Sequence, residues 1–247
     1  MKGVRIDAWL VDEGITESRA RAQALVLAGK VTIDGKRVDK AGTAVPEGAN
    51  VVVASDDGWA SRGAHKLLGA IAAFPAFAAA IAGADALDIG ASTGGFTDVL
   101  LRHGAGRVIA VDVGYGQLHE RLRQDARVVV MDRTNIRLLE AGALPFVPRI
   151  AVCDASFISV RLFLDVVFRE LAPGGLFVVL VKPQFEVGRE RVGKGGVVRD
   201  DALRREALDD VVKRGVEVGF VALGHADSPL AGPAGNREWL LLLAKPA

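Results

Sequence analysis

Residues 84–101 read Ala-Asp-Ala-Leu-Asp-Ile-Gly-Ala-Ser-Thr-Gly-Gly-Phe-Thr-Asp-Val-Leu-Leu, an order that predicts a short strand, a glycine-rich turn and a helix in direct succession. The apolar residues 86–89 are typical of a buried strand, and the spacing of Phe96, Val99 and Leu100 is typical of a helix. Glycine tolerates positive φ and lets a ligand approach the backbone, while the first N–H groups of the helix face the same place. The stretch therefore predicts the start of a βαβ unit that holds a nucleotide-like ligand.

Four interpretations of this turn compete. A dinucleotide site would require G-x-G-x-x-G, which the glycine spacing in residues 90–95 does not match. The hydrolase motif G-x-S-x-G does match, with Ser92 as the nucleophile and with Asp154 and His225 following in the hydrolase order. That motif normally follows several core strands, however, whereas this turn follows the first one. A tight turn without a ligand is the third interpretation.

The fourth interpretation, binding of S-adenosylmethionine, explains the largest number of residues. Asp88 precedes the turn, and Asp112 ends the next strand, where an acid that binds ribose hydroxyl groups belongs. Asp132 ends the third strand and could meet the adenine side of the ligand, although either Asp112 or Asp132 could instead cap a loop. The residues predicted to bind the cofactor are Asp88, Gly90, Ala91, Ser92, Thr93, Gly94, Gly95, Phe96, Asp112 and Asp132.

The chain from residue 62 onward alternates between strand-like and helix-like stretches. The expected strands are residues 86–89, 107–113, 127–131, 150–153, 176–181, 220–224 and 239–244. Such alternation predicts an α/β fold whose mainly parallel sheet is covered by helices on both faces. Together with the ligand turn, it predicts a Rossmann-like class I methyltransferase with a mostly parallel seven-stranded sheet.

Composition divides the chain into three parts. Residues 1–54 predict a small α+β domain, residues 55–61 are small, acidic and glycine-containing as in a linker, and residues 62–247 form the methyltransferase domain. In the small domain one helix ends near Gly14 and a second is capped by Ser18. The apolar face of the second helix is expected to consist of Ala20, Ala24, Leu25 and Leu27. A strand–turn–strand pattern and a further strand follow, in residues 31–38 and 50–54.

The small domain carries an uneven charge. Residues 18–40 contain six basic and two acidic side chains, although the whole chain has a net charge of only +1. Basic residues on a helix and the following hairpin are able to bind RNA phosphates, whereas the alternative is an ordinary solvated surface. The residues predicted to bind RNA are Arg5, Arg19, Arg21, Lys30, Lys36 and Arg37.

Composition also excludes several classes of protein. The single cysteine, Cys153, excludes an internal disulfide and lies in an apolar strand, so an inert core thiol is expected. The four histidines have no metal-ligand spacing, and no metal site is predicted. The uncharged residues 67–84 are expected to form a packed helix and not a membrane span. We therefore expect a cytoplasmic protein that is not membrane-bound; the sequence does not indicate an oligomeric state.

Two lysines and two carboxylates are candidates for catalysis. Asp154 follows the fourth strand, Lys182 ends the fifth, Glu238 opens the last, and Lys66 lies on the first helix of the larger domain. Ligands bind at the carboxyl ends of the strands in open α/β sheets. Each of the four residues could instead form an ordinary salt bridge.

Together they suit methyl transfer to a ribose 2′-OH, because a group must accept the hydroxyl proton as the methyl group arrives. A lysine does this only when neutral, and a second lysine and the positive sulfur of the cofactor both favour the neutral amine. We assign Lys182 as the base, Asp154 as the group that orients it, and Lys66 and Glu238 as supports for the hydroxyl group. Base methylation fits less well, because residues 154–157 lack the Pro-Pro of amino-directed enzymes.

Six motifs resemble the TlyA family over nearly the whole chain: Arg62-Gly-Ala-His-Lys66-Leu, Asp88-Ile-Gly-Ala-Ser-Thr-Gly-Gly-Phe-Thr97, Asp112-Val-Gly-Tyr-Gly-Gln117, Asp154-Ala-Ser-Phe-Ile-Ser159, Val181-Lys-Pro-Gln-Phe-Glu-Val-Gly188 and Gly235-Asn-Arg-Glu238. The resemblance implies an αL RNA-binding module followed by an FtsJ-like methyltransferase domain. It implies 2′-O-methylation of cytidines in the rRNA of the small and large ribosomal subunits, and a link to capreomycin susceptibility. The FtsJ-like Lys-Asp-Lys-Glu tetrad corresponds to Lys66, Asp154, Lys182 and Glu238.

Two other functions remain open at this point. The family also carries a haemolysin label, which would require a membrane-active element, and a non-catalytic RNA-binding protein could retain the same fold. Residues 188–200 contain four basic residues and are expected to form an RNA-facing loop.

Overall fold

The computed structural model describes residues 4–16, 18–46, 48–53, 58–232 and 234–247. It divides the chain into two compact units, Met1–Arg62 and Gly63–Ala247. Residues 54–57, which include the end of the predicted small domain and the first part of the predicted linker, lie outside the described residues.

The N-terminal unit packs two helices beside short antiparallel strands. The helices are α1 (Ile6–Asp12) and α2 (Arg19–Leu27), and the strands are β1 (Val4–Arg5), β2 (Val31–Ile33), β3 (Lys36–Arg37), β4 (Ala44–Val45) and β5 (Val51–Val53). The Ser18 side chain accepts from Arg21 N and caps α2. Asp34 and Gly35 have φ values of 49° and 74°, as a tight hairpin turn between β2 and β3 requires. Both features agree with the sequence prediction.

Helix α2 packs through a different face from the predicted one. Ala22, Leu25 and Val26 are buried against Ile6 and Leu10 of α1 in one apolar cluster. Three residues expected on the buried face are exposed instead, namely Ala20, Ala24 and Leu27. Apolar residues occur all around this helix, so the i, i+3, i+4 spacing was compatible with more than one face. The prediction of the stripe was therefore wrong except at Leu25.

The larger unit is built on one seven-stranded sheet. Its strands are β6 (Asp85–Ile89), β7 (Arg107–Val111), β8 (Val128–Met131), β9 (Ile150–Cys153), β10 (Leu176–Val181), β11 (Val221–Asp227) and β12 (Trp239–Ala244). The order across the sheet is β11-β12-β10-β9-β6-β7-β8. Strand β12 runs antiparallel to β10 and β11, and the other adjacent strands are parallel to one another. The predicted fold class and strand number are thereby confirmed.

Strand order reverses between β6 and β9. From the central strand β6 the chain first builds outward to β7 and β8, and then returns to place β9 on the other side of β6. The loops after β6 and β9 therefore diverge and leave a crevice at the carboxyl ends of these strands. The glycine turn follows β6 and Asp154 follows β9, so both reach this crevice.

Helices cover the sheet. They are α3 (Ala64–Ala73), α4 (Pro75–Ile81), α5 (Gly95–Arg102), α6 (Glu120–Arg123), α7 (Leu164–Glu170), α8 (Pro183–Glu186) and α9 (Asp201–Val218). Three 3₁₀ turns span Ile136–Leu138, Val160–Leu162 and Arg189–Arg191. The main apolar cluster lies between α7, α9 and one face of the sheet, and it includes Phe163 and Phe177.

The apolar run 67–84 forms two helices and not the single one expected. Helices α3 and α4 meet at 116°, with Phe74 between them and Pro75 at the first position of α4. Leu67 and Phe77 are fully buried. Within the described part of the chain no individual helix is long and apolar enough to cross a membrane. The bent pair α3–α4 reaches that length and hydropathy only when the two helices are taken together.

Cys153 lies in β9 with no exposed surface. Burial raises the pKa of its thiol to about 12, which keeps the sulfur protonated and unreactive at neutral pH. The prediction of a core thiol is therefore confirmed.

Candidate active site

The glycine turn after β6 has a backbone that only small residues permit. Gly90 and Gly94 have φ values of 76° and 94°, and Ser92 has a φ of 48°. A Cβ atom on Gly90 would lie 2.9 Å from the Cα atom of Ala155. The N–H groups of residues 90 and 91 both donate to the carbonyl of Val111 at the end of β7. The turn is thus held open at the crevice between β6, β7 and β9.

Asp112 forms one wall of a cavity of about 340 Å³ beside this turn. Its carboxylate accepts from the N–H of Ser92 at 2.8 Å and from the N–H of Gly114 at 2.7 Å. These bonds turn the chain away after Val111, which explains why β7 ends two residues earlier than predicted. A carboxylate fixed by backbone donors at the edge of a cavity is well placed to accept ribose hydroxyl groups.

Only some of the predicted cofactor residues reach this cavity. Gly90, Ser92 and Asp112 line it. The structure does not place the remaining seven in its lining; they are Asp88, Ala91, Thr93, Gly94, Gly95, Phe96 and Asp132.

Asp88 lies beneath the turn and not in the cavity. Its side chain is fully buried and accepts from the hydroxyl of Thr97 at 2.6 Å, which attaches the start of α5 to β6. Its Oδ1 atom has no hydrogen-bond partner among the described residues. Burial, with help from the charges of Asp154 and Asp112, raises the pKa of Asp88 to about 7, although the bonds from Thr97 oppose this.

Asp132 also holds protein groups instead of facing the cavity. It accepts from the N–H of Gly116 at 3.1 Å and pairs with Arg123 at 3.0 Å. Burial alone would raise the pKa of Asp132, but the bonds from Gly116 and Arg123 outweigh it and lower the pKa. In place of Asp132, the loops after β7 and β8 present Gln117 and Asn135 to the cavity. Sequence reasoning missed both, although their positions just beyond two strand ends were a usable signal.

The four residues predicted to be catalytic form one cluster. Asp154 bridges the two lysines, with Nζ of Lys182 at 2.7 Å and Nζ of Lys66 at 3.3 Å from its Oδ1 atom. Nζ of Lys66 also lies 2.7 Å from Oε2 of Glu238. Both lysines and Glu238 are buried. Two positive and two negative charges in mutual contact keep this interior site near neutrality.

Lys182 contacts three oxygen atoms. Its Nζ donates to the main-chain oxygen of Asp154 at 3.0 Å and to Oγ of Ser156 at 2.9 Å, and it forms an ion pair with the Asp154 carboxylate. Glu238 differs, because its Oε1 atom is buried without a partner in the described structure. The cluster therefore offers one unused acceptor.

A second cavity, of about 730 Å³, lies on the other side of this cluster. Lys182 and Glu238 line it, whereas Asp154 lines the first cavity. Residues 156–158 line both cavities. The cluster thus stands between a cavity that fits a cofactor and one that is large enough for a nucleotide.

Phe157 is the most exposed large apolar residue of this region, with 91% of its surface accessible. Its φ of 67° is unusual for a bulky residue. Its ring packs against Phe185 of α8, with centroids 5.5 Å apart. Sequence reasoning did not single out Phe157 as a site residue, because neither its backbone conformation nor its exposure can be read from its neighbours.

The hydrolase interpretation is not supported by these positions. The Ser92 hydroxyl donates to Gln117, whereas Asp154 pairs with the lysines. His225 lies on β11, where it contacts Arg205 and Trp239. Serine, acid and histidine are therefore not assembled into a triad.

The predicted RNA-binding residues of the N-terminal unit fall into two groups. Arg5 and Arg19 both pair with Asp7, a fully buried carboxylate to which Gln23 also donates. These bonds lower the pKa of Asp7, with the Arg5 bond as the largest cause. Lys36 and Arg37, by contrast, line a shallow cavity with Lys40. Arg21 lies on α2, and Lys30 lies between α2 and β2. Asp7 is a residue that sequence reasoning missed.

The predicted RNA-facing loop 188–200 is partly ordered by hydrogen bonds. Gly193 and Val197 form an isolated β-bridge. The buried Asn236 accepts from the N–H of Val198 and donates to the carbonyl of Gly196. Arg189 lines the second cavity. The loop is thus attached to the strand-entry segment that also carries Glu238.

Comparison with known proteins identifies the family. A profile described as FtsJ-like methyltransferase matches residues 59–245, and one described as S4 domain matches residues 4–51. The chain is 49% identical, over 97% of its length and 89% of the relative's, to the 16S/23S rRNA (cytidine-2′-O)-methyltransferase TlyA of Mycobacterium tuberculosis. The chain belongs to the TlyA family of FtsJ-like methyltransferases. Membership of this family confirms the predicted enzyme class, a methyltransferase, and the predicted cofactor, S-adenosylmethionine.

Two further relatives show that TlyA-like proteins also carry another name. Hemolysin A of Brachyspira hyodysenteriae is 39% identical over 96% of this chain and 98% of its own length. A solved structure from Streptococcus thermophilus, classed as a candidate hemolysin, superimposes with a TM-score of 0.77 at 40% identity, covering 100% of this chain and 90% of that one.

Proposed function

We propose that this protein methylates the 2′-OH of cytidine riboses in the rRNA of the small and large ribosomal subunits, with S-adenosylmethionine as the donor. The observation that carries the proposal is the Lys66–Asp154–Lys182–Glu238 cluster between two cavities. The Mycobacterium tuberculosis relative is a 16S/23S rRNA (cytidine-2′-O)-methyltransferase, which supports the choice of substrate. The S4 domain match supports RNA binding by the N-terminal unit.

The cofactor belongs in the smaller cavity beside the glycine turn. Asp112 and Gln117 present an acidic and an amide oxygen there, which suit the ribose hydroxyl groups of a nucleoside. Asp154 lines the same cavity, so its carboxylate would lie near the positively charged sulfur of a cofactor bound there. The other side of the Asp154 carboxylate contacts both lysines, so the acid links the donor to the acceptor site.

The ribose belongs in the larger cavity, against Lys182 and Glu238. Lys182, once it has released one of its own protons to solvent, would accept the hydroxyl proton as the oxygen bonds to the methyl carbon. The bond between that carbon and the sulfur would break in the same step, which leaves S-adenosylhomocysteine. Asp154 and Ser156 hold the amine in place during this exchange. Glu238 lines this cavity, and its Oε1 atom is an acceptor that the described residues leave unused. Lys66 connects the two carboxylates and fixes their separation.

The domain boundaries fit this division of labour. We assign RNA binding to residues 1–54, with Arg5, Arg19, Arg21, Lys30, Lys36 and Arg37 facing phosphate groups. Residues 55–61 connect this domain to the catalytic domain, residues 62–247.

Mapping of methylated riboses tests the proposal most directly. Ribosomal subunits without the modification are treated with the protein and the cofactor, and 2′-O-methylated positions are located by primer extension. We expect defined cytidines to be modified by the wild type and none by Lys182→Ala, with nearly unchanged cofactor affinity in calorimetry. Lys213→Ala, a change at an exposed lysine of α9, serves as the matched control and should keep activity. Full activity of Lys182→Ala would remove the base assignment.

Membrane activity is the alternative that the name of the Brachyspira relative suggests. The bent pair α3–α4 is the element that it would require, and its residues Leu67 and Phe77 are buried within the larger unit. Release of dye from liposomes by the wild type and by Lys182→Ala in equal measure would favour this alternative. We expect no release from either protein.

A further inference from the structure

The segment 154–160, which connects β9 to the 3₁₀ turn Val160–Leu162, forms the wall between the two cavities. It begins with Asp154 of the catalytic cluster, and residues 156–158 line both cavities. Any shift of this segment therefore moves the catalytic acid and the shared wall together. The contacts that fix this segment therefore affect the reaction as well as the fold.

Helix α8 fastens the start of the segment. Lys182 immediately precedes α8 and donates to the main-chain oxygen of Asp154 and to the Ser156 hydroxyl. Phe185 on the same helix packs against the ring of Phe157. The contacts of Lys182 belong to the active site already described, whereas the Phe157–Phe185 contact is an additional attachment.

Glu186, the last residue of α8, fastens the other end. Its carboxylate accepts from the Ser159 hydroxyl at 2.6 Å and from the N–H of Val160 at 2.8 Å. Arg161 closes the arrangement, because it donates to Oε2 of Glu186 at 3.1 Å and to its main-chain oxygen at 2.8 Å. Arg161 also pairs with Asp210 of α9. Glu186 itself is only 3% exposed.

The middle of the segment needs such attachment. Phe157 has a left-handed backbone and projects into solvent, so its own side chain contributes little burial that could hold this conformation. A bulky residue persists in this region only when the surrounding structure imposes it. The bonds at Lys182 and at Glu186 lie on either side of Phe157 and supply that constraint.

We propose that Glu186 is a positioning residue of the methyl transfer reaction, which fixes the far end of the 154–160 segment and thereby the location of Asp154 and Phe157. This inference rests on the proposed function, which does not itself involve Glu186. It assigns no contact of Glu186 with cofactor or RNA, because its carboxylate is occupied by Ser159, Val160 and Arg161.

The first test compares two buried glutamates. Glu186→Ala removes the attachment, whereas Glu170→Ala removes a buried glutamate at the end of α7 that pairs with Arg169 and lines neither cavity. With saturating cofactor and rRNA, we expect kcat of Glu186→Ala to fall about 10- to 100-fold, since small displacements of reacting groups have effects of this size. We expect Glu170→Ala to keep kcat within about twofold of the wild type, even where its thermal stability falls equally.

Smaller substitutions in the same attachment distinguish a loss of positioning from a loss of folding. Ser159→Ala removes a single hydroxyl bond and should lower kcat a few-fold. Glu186→Gln keeps an acceptor for Val160 and should restore part of the activity that Glu186→Ala loses. The double variant Glu186→Ala/Ser159→Ala should be no slower than Glu186→Ala alone, because both changes break the same attachment.

The outcomes distinguish this inference from the proposed function. A wild type that transfers no methyl group to rRNA would overturn both. An active wild type with kcat values for Glu186→Ala and Glu170→Ala within twofold of each other would overturn the positioning role alone. Effects of Ser159 and Glu186 that multiply in the double variant would also contradict it.

Discussion

Each unit of the molecule contains a carboxylate held between two basic side chains, and the two arrangements are opposite in exposure. In the N-terminal unit Asp7 has no exposed side-chain surface, whereas the side chains of Arg5 and Arg19 are 55% and 58% exposed. The buried acid therefore fixes two guanidinium groups that still face solvent. Because arginine stays protonated at any physiological pH, this arrangement presents a constant positive surface.

In the larger unit the cations themselves are buried. The side chains of Lys66 and Lys182 are 7% and 6% exposed, and Asp154 between them lines an open cavity. Lysine, unlike arginine, gives up its proton when its surroundings favour the neutral form. The same pattern of charges thus suits phosphate binding in one unit and proton transfer in the other, and the choice of cation makes the difference.

The largest effect is expected from exchanging the cation types. Lys182→Arg keeps the charge but removes the nitrogen that accepts a proton, so the rate of methyl transfer should fall about 10²- to 10⁴-fold. Arg19→Lys keeps a cation where no proton transfer is needed, so RNA affinity should change less than about threefold. Single-turnover transfer and filter binding measure the two quantities. A Lys182→Arg rate within tenfold of the wild type would break the comparison.

Asp88 extends the comparison to a buried carboxylate without a cation. Its pKa is raised from 3.8 to about 7. Between about pH 4 and pH 7 the folded protein therefore keeps a proton on Asp88 that the unfolded chain has already released. Stability should therefore fall as the pH rises through this interval, on the order of 2–4 kcal/mol, and level off above it. Asp88→Asn stays neutral and should lack this component.

Urea unfolding at pH 5 and pH 8 measures the Asp88 effect. The stability of Asp88→Asn relative to the wild type should improve between the two pH values, since other carboxylates contribute equally to both proteins. Parallel pH profiles for the two proteins would show that Asp88 is ionised throughout.

Asp7→Asn should destabilise the protein by about 1–3 kcal/mol at neutral pH, because a buried acceptor of three charged or polar donors is lost. The bonds to Asp7 lower its pKa in the folded state, so this stabilisation is present above the ordinary pKa and is lost as the pH falls through the folded value. The cost of Asp7→Asn should accordingly shrink in acid. Guanidinium unfolding at pH 7 and pH 3 provides the measurement, with Asp12→Asn at the exposed end of α1 as the control.

The smallest effects are expected from single surface cations of the N-terminal unit. Arg21→Gln and Lys36→Gln should each weaken rRNA binding a few-fold and reduce the slope of log affinity against log salt by about 0.7–0.9. The exposed Lys213 of α9 gives a control, whose change to Gln should leave the slope as it is. Unchanged slopes for both test variants would count against the assigned RNA-binding face.

The sequence predicted those parts of the site that depend on strand ends. Asp112, Asp154 and Lys182 each follow a clearly apolar strand, and the carboxyl ends of parallel strands meet at one edge of the sheet. Glu238 precedes the last strand, which is antiparallel, so it reaches the same edge. Lys66 precedes the sheet altogether, so no strand end indicated its position; it was included because two lysines and two carboxylates together suit methyl transfer, and the resemblance to the family then agreed.

The rest could not be predicted because it depends on contacts between distant segments. Asp88 has the right position for a cofactor residue, yet its side chain is directed into the core, where it contacts Thr97. The attachment of Ser159 by Glu186 joins two loops whose pairing no local pattern encodes. The packing of α2 through Ala22 could not be predicted, because apolar residues lie on every side of that helix.

The position of β12 in the sheet has a consequence for how the protein becomes active during synthesis. This strand inserts between β10 and β11, and Glu238, which directly precedes it, contacts Lys66, a residue 172 positions earlier in the chain. Residues so far apart in the chain pair slowly, because closing a long loop costs conformational entropy. They also cannot pair until both have been synthesised. A nascent chain therefore completes the Lys66–Glu238 pair only after residue 238 has been synthesised, and a chain that stops before this residue lacks one of the two carboxylates of the cluster.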